Sequence, residues 1–333
     1  MTGRVVFVTG GAGFIGSNIV ARLAEDRFLD VVVCDRLRQV ELGKWRNVAK
    51  HPIADFVPPE SMFEWLETHS RDVELVIHMG AISSTIEPDA DKLLNINFGL
   101  SRDLFRWCAE RQRRFIYASS AATYGDGASG FADRDDLDSL IALRPLNAYG
   151  WSKALFDVFA AREAAREAAP PQWVGLKFFN VYGPNEEHKG PMRSVVAQIW
   201  PKVAAGERVR LFKSGRADVA DGEQKRDFVY VRDAADVVAW LAANPAVNGV
   251  YNLGSGKARS FKDLALAVFH AANRPASIEY IDPPRTIARQ YQYFTEAVMT
   301  RLAAAGYTAP LTSLEDGVAD YVTSYLATAD PYR

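Results

Sequence analysis

Cysteine is nearly absent from this chain, and the two cysteines are poorly placed for cross-linking or for metal binding. Cys34 and Cys108 are the only ones among 333 residues. One lies in a predicted buried strand and the other in a predicted helix, and no Cys-x-x-Cys spacing occurs. We therefore expect neither structural disulfides nor a zinc site, and no metal elsewhere.

Blocks of like charge and long apolar runs are also missing. The formal net charge is only −2, with no basic or acidic tract, so we expect no nucleic acid partner. No stretch approaches the ~18 uninterrupted apolar residues of a membrane helix, and glycines break the first apolar run before it could form a secretory signal. These absences predict a cytoplasmic protein without membrane association whose partner is a small molecule.

What the chain does contain is ordinary for a globular protein. Apolar residues make up 48% and charged residues 24% of the sequence, and 333 residues can bury one large or two moderate cores. The function must therefore be sought in local motifs rather than in bulk composition.

A glycine-rich turn near the N-terminus is the first such motif. The apolar run from Arg4 to Thr9 breaks into glycines and resumes with helical periodicity, which predicts strand, tight turn and helix. In that setting Gly11, Gly13 and Gly16 match Gly-x-Gly-x-x-Gly, the fingerprint of dinucleotide binding. The first amides of the helix would favour a pyrophosphate. The alternative is a glycine turn that binds nothing.

The residues after the next predicted strand bear on the choice of cofactor. Asp35 ends that strand at about the ~20-residue spacing expected of an acid that binds the ribose of NAD. Arg36, Arg38 and Lys44 follow closely and could instead neutralise the 2′-phosphate of NADP, or could be ordinary solvated surface. The two interpretations conflict at this point.

Strands and helices alternate as far as residue 180, which predicts an α/β fold of the Rossmann type with a doubly wound parallel sheet. An apolar run from Val73 ends in Gly80 and Ala81, a helix is predicted over 91–110, and strands over 114–120 and 173–180. The alternation then loosens. We predict a dinucleotide-binding domain at 1–180 plus about 226–256, and a smaller mixed α/β substrate-binding domain at 181–225 and 257–333.

A tyrosine and a lysine four residues apart form a candidate acid/base pair. Tyr149 and Lys153 project from one face of a predicted helix, so an ammonium would lie near a phenol and lower its pKa from ~10. By itself this spacing usually marks an exposed pair. Strand alternation allows only one of Ser119 and Ser120, at the end of a preceding strand, to point towards such a site.

Together these motifs resemble those of the extended short-chain dehydrogenase/reductase superfamily over nearly the whole chain. More narrowly, the segments 117–125, 145–153, 178–184 and 225–231 and the element His188-Lys189-Gly190 resemble the ADP-L-glycero-D-manno-heptose 6-epimerases. The resemblance implies that bound NADP takes a hydride from C-6 of an ADP-heptose, and returns it to the opposite face of the transient carbonyl intermediate. It also implies a homo-oligomer.

The resemblance also implies a set of site residues. The catalytic ones are Tyr149 and Lys189 as two acid/base groups, Lys153 on the nicotinamide ribose, and Ser120 on the reacting oxygen. The implied cofactor-binding residues are Gly10, Gly11, Gly13, Phe14, Ile15, Gly16, Asp35, Arg36, Lys44, Met79, Gly80, Ala81, Ile82, Ser83, Asn97, Lys153, Val181 and Lys189. The implied substrate-binding residues are Asn180, Pro191, Gln198, Phe212, Lys213, Ser214, Gly215, Arg226 and Tyr291, with Arg226 assigned to the diphosphate.

Two departures and three alternatives accompany this interpretation. Pro191 stands where the family commonly has a small polar residue, so only its backbone could contact substrate. The segments 135–141 and 217–223 look longer than the family's norm.

A UDP-hexose 4-epimerase would keep Tyr149 but would not need Lys189, and a 4,6-dehydratase would have an Asp-Glu pair at 121–122. A non-catalytic NADP-binding regulator would usually lack the Tyr/Lys pair.

Overall fold

A seven-stranded parallel sheet forms the centre of the molecule. The computed structural model describes residues 4–25, 30–37, 43–284 and 292–333. Its strands are β1 (Val5–Thr9), β2 (Asp30–Cys34), β3 (Asp55–Val57), β4 (Val73–His78), β5 (Arg114–Ser120), β6 (Trp173–Phe178), β7 (Asn180–Tyr182), β8 (Val209–Phe212), β9 (Lys225–Tyr230), β10 (Gly249–Leu253), β11 (Ala258–Ser260) and β12 (Ile278–Ile281). The order in the large sheet is β10-β6-β5-β4-β1-β2-β3, and all its pairings are parallel.

Helices cover both faces of this sheet, as a doubly wound fold requires. The α-helices of the described residues are Phe14–Ala24, Met62–Thr68, Ala90–Leu93, Leu100–Glu110, Leu137–Ala142, Ala148–Ala165, Val195–Ala204, Val231–Ala243, Phe261–Ala271, Thr300–Ala304 and Leu314–Tyr321. A π-helical turn over Leu94–Gly99 joins two of them into the helical segment predicted at 91–110. The predicted fold class is confirmed.

The side chains of β1 show why the strand is apolar at every position. Val6 and Val8 pack into one hydrophobic core, and Val5 and Phe7 pack into another on the opposite face. Successive strand residues point to opposite faces, so a strand buried on both faces must be apolar throughout. This burial holds the carboxyl end of β1, and the glycines after it, at the centre of one sheet edge.

Two smaller sheets and a third core lie beyond the large sheet. β7 pairs in parallel with β9, which pairs antiparallel with β11, and β8 pairs with β12. The single strand predicted over 173–180 is in fact two strands. Phe179 donates its amide to the Leu253 carbonyl, and the chain then passes from the large sheet into the three-stranded one. This crossing places the residues around 180 between the two parts of the fold.

No helix among the described residues is long and apolar enough to cross a membrane.

Candidate active site

The glycine turn brings the start of the first helix against the sheet edge. Gly10 has a φ of 64°, and a Cβ there would lie 2.6 Å from the Gly80 amide nitrogen. A Cβ at Gly16 would overlap the Gly10 carbonyl oxygen. The helix begins at Phe14, with no side chain capping it and no acidic residue in its first turn. Its first amides are therefore suited to an anion such as a pyrophosphate.

Asp35 and Lys44 form an ion pair beside this turn. Asp35 Oδ1 accepts hydrogen bonds from Lys44 Nζ (2.6 Å) and from the Arg36 amide (2.7 Å), and Oδ2 accepts one from the Ala12 amide (2.9 Å). The Lys44 side chain is only 16% exposed. The acid expected to bind ribose and the base expected to bind phosphate thus lie on the same wall and contact each other.

A cavity of about 270 Å³ runs along this wall, and its composition fits a dinucleotide: glycine backbone at a helix start, one carboxylate and several cations. Most of the predicted cofactor residues line it, namely Gly10, Gly13, Phe14, Ile15, Gly16, Asp35, Lys44, Met79, Gly80, Ala81, Ser83, Lys153 and Lys189. His188, Ala118 and Phe178 also line it and were not predicted as cofactor residues. Of these, His188 could have been expected from the sequence, because it lies in the element His188-Lys189-Gly190.

The remaining predicted cofactor residues, Gly11, Arg36, Ile82, Asn97 and Val181, are placed differently. Gly11 packs against β2, where a Cβ would lie 3.0 Å from a Val33 methyl. Arg36 pairs with Glu60 at 3.0 Å and lines a neighbouring cleft. Asn97, in the π-helical turn, exchanges two hydrogen bonds with the backbone of Ile82. Asn97 therefore holds the 81–83 loop in place rather than lining the cavity itself.

A second cavity of about 400 Å³ adjoins the first, and the two share Tyr149 and Lys189. Ser120 lines the second cavity and forms a hydrogen bond with Tyr149. The Ser119 hydroxyl instead donates to Asp157 Oδ2 at 2.7 Å, in a buried network. Ser119 nonetheless lines the first cavity, so both serines border the site while their hydroxyls have different partners. Both candidate acid/base groups lie where the two cavities meet.

The protonation of Tyr149 differs from the sequence-based expectation. Burial raises the pKa of Tyr149, and the hydrogen bond with Ser120 opposes that rise. Burial also lowers the pKa of Lys153 to about 8, although Asp157 acts in the other direction. The Lys153 ammonium donates to the Ala118 carbonyl at 2.9 Å. The prediction that Lys153 lowers the Tyr149 pKa is therefore wrong in this structure, because desolvation of the phenolate dominates.

Lys189 lies on a short 3₁₀ segment, Glu187–Met192, that faces the start of the first helix. Its Nζ is 3.6 Å from Glu186 Oε2 and 4.7 Å from the centre of the Phe14 ring. Burial lowers the pKa of Lys189, and Glu186 opposes that shift. Burial together with the charges of Lys44 and Lys189 lowers the pKa of His188 to about 4, so this imidazole is neutral at pH 7. A partly buried amine and a partly buried phenol therefore meet at the cavity junction.

No group of three or more His, Cys, Asp or Glu residues that could hold a metal ion occurs in the ranges 4–25, 30–37, 43–284 and 292–333.

Comparison with known proteins agrees with this geometry. The model of the NAD dependent epimerase/dehydratase family matches residues 6–254, which is most of the chain. The chain belongs to this family. The predictions of a family resemblance and of an epimerase-type enzyme are confirmed.

Individual members of the family are similar over nearly their whole length. An ADP-L-glycero-D-manno-heptose-6-epimerase from Nitratidesulfovibrio vulgaris (strain DP4) is 49% identical over 328 residues, covering 98% of this chain and 99% of that one. The crystal structure of the Helicobacter pylori ADP-L-glycero-D-manno-heptose-6-epimerase has a TM-score of 0.77 at 27% identity, covering 96% of each chain. The Thermus thermophilus UDP-glucose 4-epimerase in complex with NAD has a TM-score of 0.75 at 27% identity, covering 95% of this chain and 96% of that one. The family and this complex support a nicotinamide cofactor.

Of the predicted substrate-binding residues that the structure describes, Asn180 lines the second cavity. Val181, predicted as a cofactor-binding residue, also lines it, as do Arg193, Phe228 and Phe261, which were not predicted. Phe228 had a sequence signal, since it lies in the alternating run of β9. The remaining predicted residues that the structure describes do not line this cavity, namely Pro191, Gln198, Phe212, Lys213, Ser214, Gly215 and Arg226. Tyr291 lies outside the described residues.

Two of these residues lie close to the cavity without lining it. Arg226 places its guanidinium 5.6 Å from the centre of the Phe261 ring, so it is one side chain removed from the cavity. Gln198 donates to the carbonyls of Pro191 (3.2 Å) and Arg193 (2.6 Å), and so holds the chain that follows Lys189.

Proposed function

We propose that this protein is an epimerase that inverts C-6 of ADP-D-glycero-D-manno-heptose to give the L-glycero form. The observation that carries this proposal is the meeting of Tyr149 and Lys189 at the junction of the two cavities. The near full-length relatives of that name support the choice of sugar. A 4-epimerase acting on a UDP-hexose is the alternative among enzymes of this fold.

The two acid/base groups account for the proton transfers of such a reaction. A nicotinamide bound in the first cavity would supply a reversible hydride acceptor. Oxidation of a secondary alcohol releases a hydroxyl proton, and reduction from the opposite face requires one, so two groups at separate positions serve better than one. In our proposal Tyr149 and Lys189 exchange these protons with the C-6 oxygen. Ser120 holds that oxygen, and Lys153 holds the nicotinamide ribose.

We further propose NADP as the preferred cofactor, with NAD as the alternative. Lys44 lies against Asp35, and Arg36 lies at the adjoining cleft, so two cations flank the position that a 2′-phosphate would take. The Asp35 carboxylate already accepts from Lys44, the Arg36 amide and the Ala12 amide, so little acceptor capacity remains for the ribose 2′-hydroxyl of NAD. The existing pair thus favours a phosphate near Lys44.

Replacing Lys44 with Ala tests this preference. We expect NADP binding to weaken about tenfold or more while NAD binding changes little, since only NADP presents a phosphate to the ammonium. Titration of each cofactor by calorimetry would measure the ratio of dissociation constants. Lys92→Ala is the matched control, because Lys92 forms an exposed ion pair with Glu87. An unchanged ratio in Lys44→Ala would contradict the phosphate assignment.

The remaining proposals concern the sugar nucleotide and the organisation of the chain. We propose that Arg226 reaches the diphosphate by turning from Phe261, and that the other predicted substrate residues close around the ADP group. We also propose a division into two domains. The cofactor-binding domain comprises 1–180 plus about 226–256, and the substrate-binding domain comprises 181–225 plus 257–333. We further propose a homo-oligomeric assembly and a cytoplasmic location.

Proton NMR of the substrate tests the proposed function directly. Purified protein would be incubated with ADP-D-glycero-D-manno-heptose without added cofactor, and then with NADP⁺. Appearance of the L-glycero epimer in either sample is the expected result. No conversion in both samples, together with conversion of UDP-glucose to UDP-galactose, would replace the proposal with a 4-epimerase.

A further inference from the structure

Glu186 is a buried carboxylate three residues before Lys189. Its side chain is 0% exposed, and its two oxygens contact three parts of the chain. Oε1 accepts hydrogen bonds from the Ser194 hydroxyl (2.5 Å) and from the Tyr321 hydroxyl (3.0 Å). Oε2 accepts one from the Ser194 amide (2.5 Å) and lies 3.6 Å from Lys189 Nζ. The carboxylate therefore has a fixed position and one oxygen directed at the candidate acid/base lysine.

The partners of Glu186 are themselves anchored in the fold. Ser194 is the N-cap of the helix Val195–Ala204, and Tyr321 is a buried residue of the helix Leu314–Tyr321. The Lys189 amide donates to the Glu186 carbonyl at 3.0 Å, which sets the two side chains one turn apart. Rotation of the carboxylate would break these hydrogen bonds, so Lys189 has a rigid neighbour rather than a mobile surface acid.

The opposite charges of Glu186 and Lys189 explain how Glu186 affects the lysine. A buried carboxylate is costly unless a cation accompanies it, and a buried ammonium is costly for the same reason. The adjacent acid, Glu187, is not equivalent, because it pairs with Arg193 at 2.8 Å. Among the described residues Lys189 is the cation that reaches Glu186, so each member of this pair favours the charged form of the other. Burial opposes both effects, since it raises the pKa of Glu186 and lowers the pKa of Lys189.

In the part of the chain that the structure describes, the other titratable groups that face Lys189 offer no substitute for this carboxylate. His188 is neutral at pH 7, and Tyr149 and Lys153 share the cavity wall with Lys189. Asp35 is already paired with Lys44, at 2.6 Å. The Phe14 ring contributes a weak attraction for the ammonium at 4.7 Å.

We propose that Glu186 is a positioning residue that keeps a proton on Lys189 and holds its ammonium at the junction of the two cavities. The proposal rests on the function proposed above, in which Lys189 exchanges a proton with the C-6 oxygen. Glu186 itself does not contact the reacting atoms. It acts only through Lys189, as the fixed negative charge that makes a buried lysine available as a proton donor.

Replacing Glu186 with Gln removes the charge at nearly constant shape. The amide oxygen can take the place of Oε2, while the Ser194 and Tyr321 hydroxyls turn to accept from the amide nitrogen. We expect the pKa of Lys189 to fall by about one to three units, since an opposite charge within 4–6 Å favours the charged form. Acylation of Lys189 as a function of pH in the intact protein, read by peptide mass spectrometry, would measure this shift.

Three comparisons make the experiment specific. Glu187→Gln makes the same change one residue away and should leave the pKa of Lys189 unchanged. Tyr321→Phe removes a hydrogen bond from Glu186 but keeps the carboxylate, so it should act on stability more than on the Lys189 titration. Glu186→Asp keeps the charge and should restore most of the wild-type titration. If circular dichroism shows that Glu186→Gln does not fold, Glu186→Asp carries the test. Its shorter side chain withdraws the carboxylate from Lys189, so the pKa of Lys189 should still fall, but by less than is expected for Glu186→Gln.

The outcomes separate this proposal from the proposed function. A Lys189 titration that is the same in wild type, Glu186→Gln and Glu186→Asp overturns the role of Glu186. If the titration shifts as expected, one limb of the pH–rate profile should move to lower pH by the same amount. If the pKa of Lys189 shifts but the pH–rate profile does not move, Glu186 is the counter-ion of Lys189, and Lys189 takes no part in the proposed proton transfer.

Discussion

Replacing Tyr149 with Phe is expected to reduce turnover by ~10² to 10⁴ while leaving the cofactor bound. The phenol lies at the junction of the two cavities, hydrogen bonded to Ser120, and the substitution removes its proton without removing its ring. Burial raises the pKa of Tyr149, so at pH 7 the group is a neutral phenol, which can donate a proton to a developing alkoxide. To accept the hydroxyl proton of the oxidation half-reaction it would have to be a phenolate, which the positive charge of an oxidised nicotinamide would favour. The measurement is kcat at saturating substrate, with the nucleotide released on denaturation measured in parallel.

A matched variant distinguishes the loss of an acid/base group from a general effect of losing a hydroxyl. Tyr251 donates to the Asn248 carbonyl at 2.9 Å and lies outside both cavities. Tyr251→Phe should therefore keep turnover close to that of the wild type. Turnover in Tyr149→Phe within about threefold of the wild type would show that this phenol does not handle the proton.

Replacing Lys177 with Met is expected to destabilise the protein by about 3–5 kcal/mol, because it leaves a buried carboxylate without its cation. Lys177 Nζ lies 2.6 Å from Asp157 Oδ2, and the two side chains are 1% and 0% exposed. Lys177 also donates to Thr123 Oγ1 at 2.7 Å. After the substitution Asp157 would retain only neutral donors, among them the hydroxyls of Tyr117 and Ser119.

Urea unfolding of the single and double variants would test this expectation. Asp157→Leu alone should also be strongly destabilising, whereas the Lys177→Met/Asp157→Leu pair should recover much of the loss, since no uncompensated charge remains. Lys92→Met, which breaks the exposed pair with Glu87, should change stability little. A loss below about 1 kcal/mol in Lys177→Met would indicate that water or a local rearrangement compensates Asp157.

This buried network also bears on the site, because it lies directly behind it. Tyr149, Lys153 and Asp157 are spaced four residues apart along the helix Ala148–Ala165, on one face. Asp157 accepts from the Ser119 hydroxyl, although Ser119 lines the first cavity, while Ser120 lines the second. The network thus occupies the hydroxyl of one of the two adjacent serines.

Much of this arrangement could be predicted from local sequence patterns. The two-sided burial of β1, the glycine turn and the helix that follows it depend on residues close together in the chain, so periodicity and turn chemistry were sufficient. Strand alternation predicted that Ser119 and Ser120 would point in different directions, and family resemblance chose Ser120 for the site. The element His188-Lys189-Gly190 was enough to single out the second acid/base candidate through family resemblance.

Other features depended on how the chain folds and on what it buries. The ion pair of Asp35 with Lys44, nine residues apart, combined two residues that the sequence had presented as alternatives. The pKa of Tyr149 moved opposite to the prediction because burial, which depends on the whole fold, raises it. The strand predicted over 173–180 divided at Phe179, because Asn180–Tyr182 pair with β9 instead of continuing in the large sheet. Burial decided the second case and a long-range strand pairing decided the third.

The sequence alone therefore determined the sheet and the glycine turn, since these follow from side-chain period and from residues at short spacing, while family resemblance singled out the candidate acid/base residues. Only the tertiary structure decided how those residues are charged and what holds them. Glu186 meets Tyr321 across 135 positions and Lys177 meets Asp157 inside the core. Burial converts such pairs from weak surface contacts into strong determinants of protonation, and burial is a property of the assembled fold.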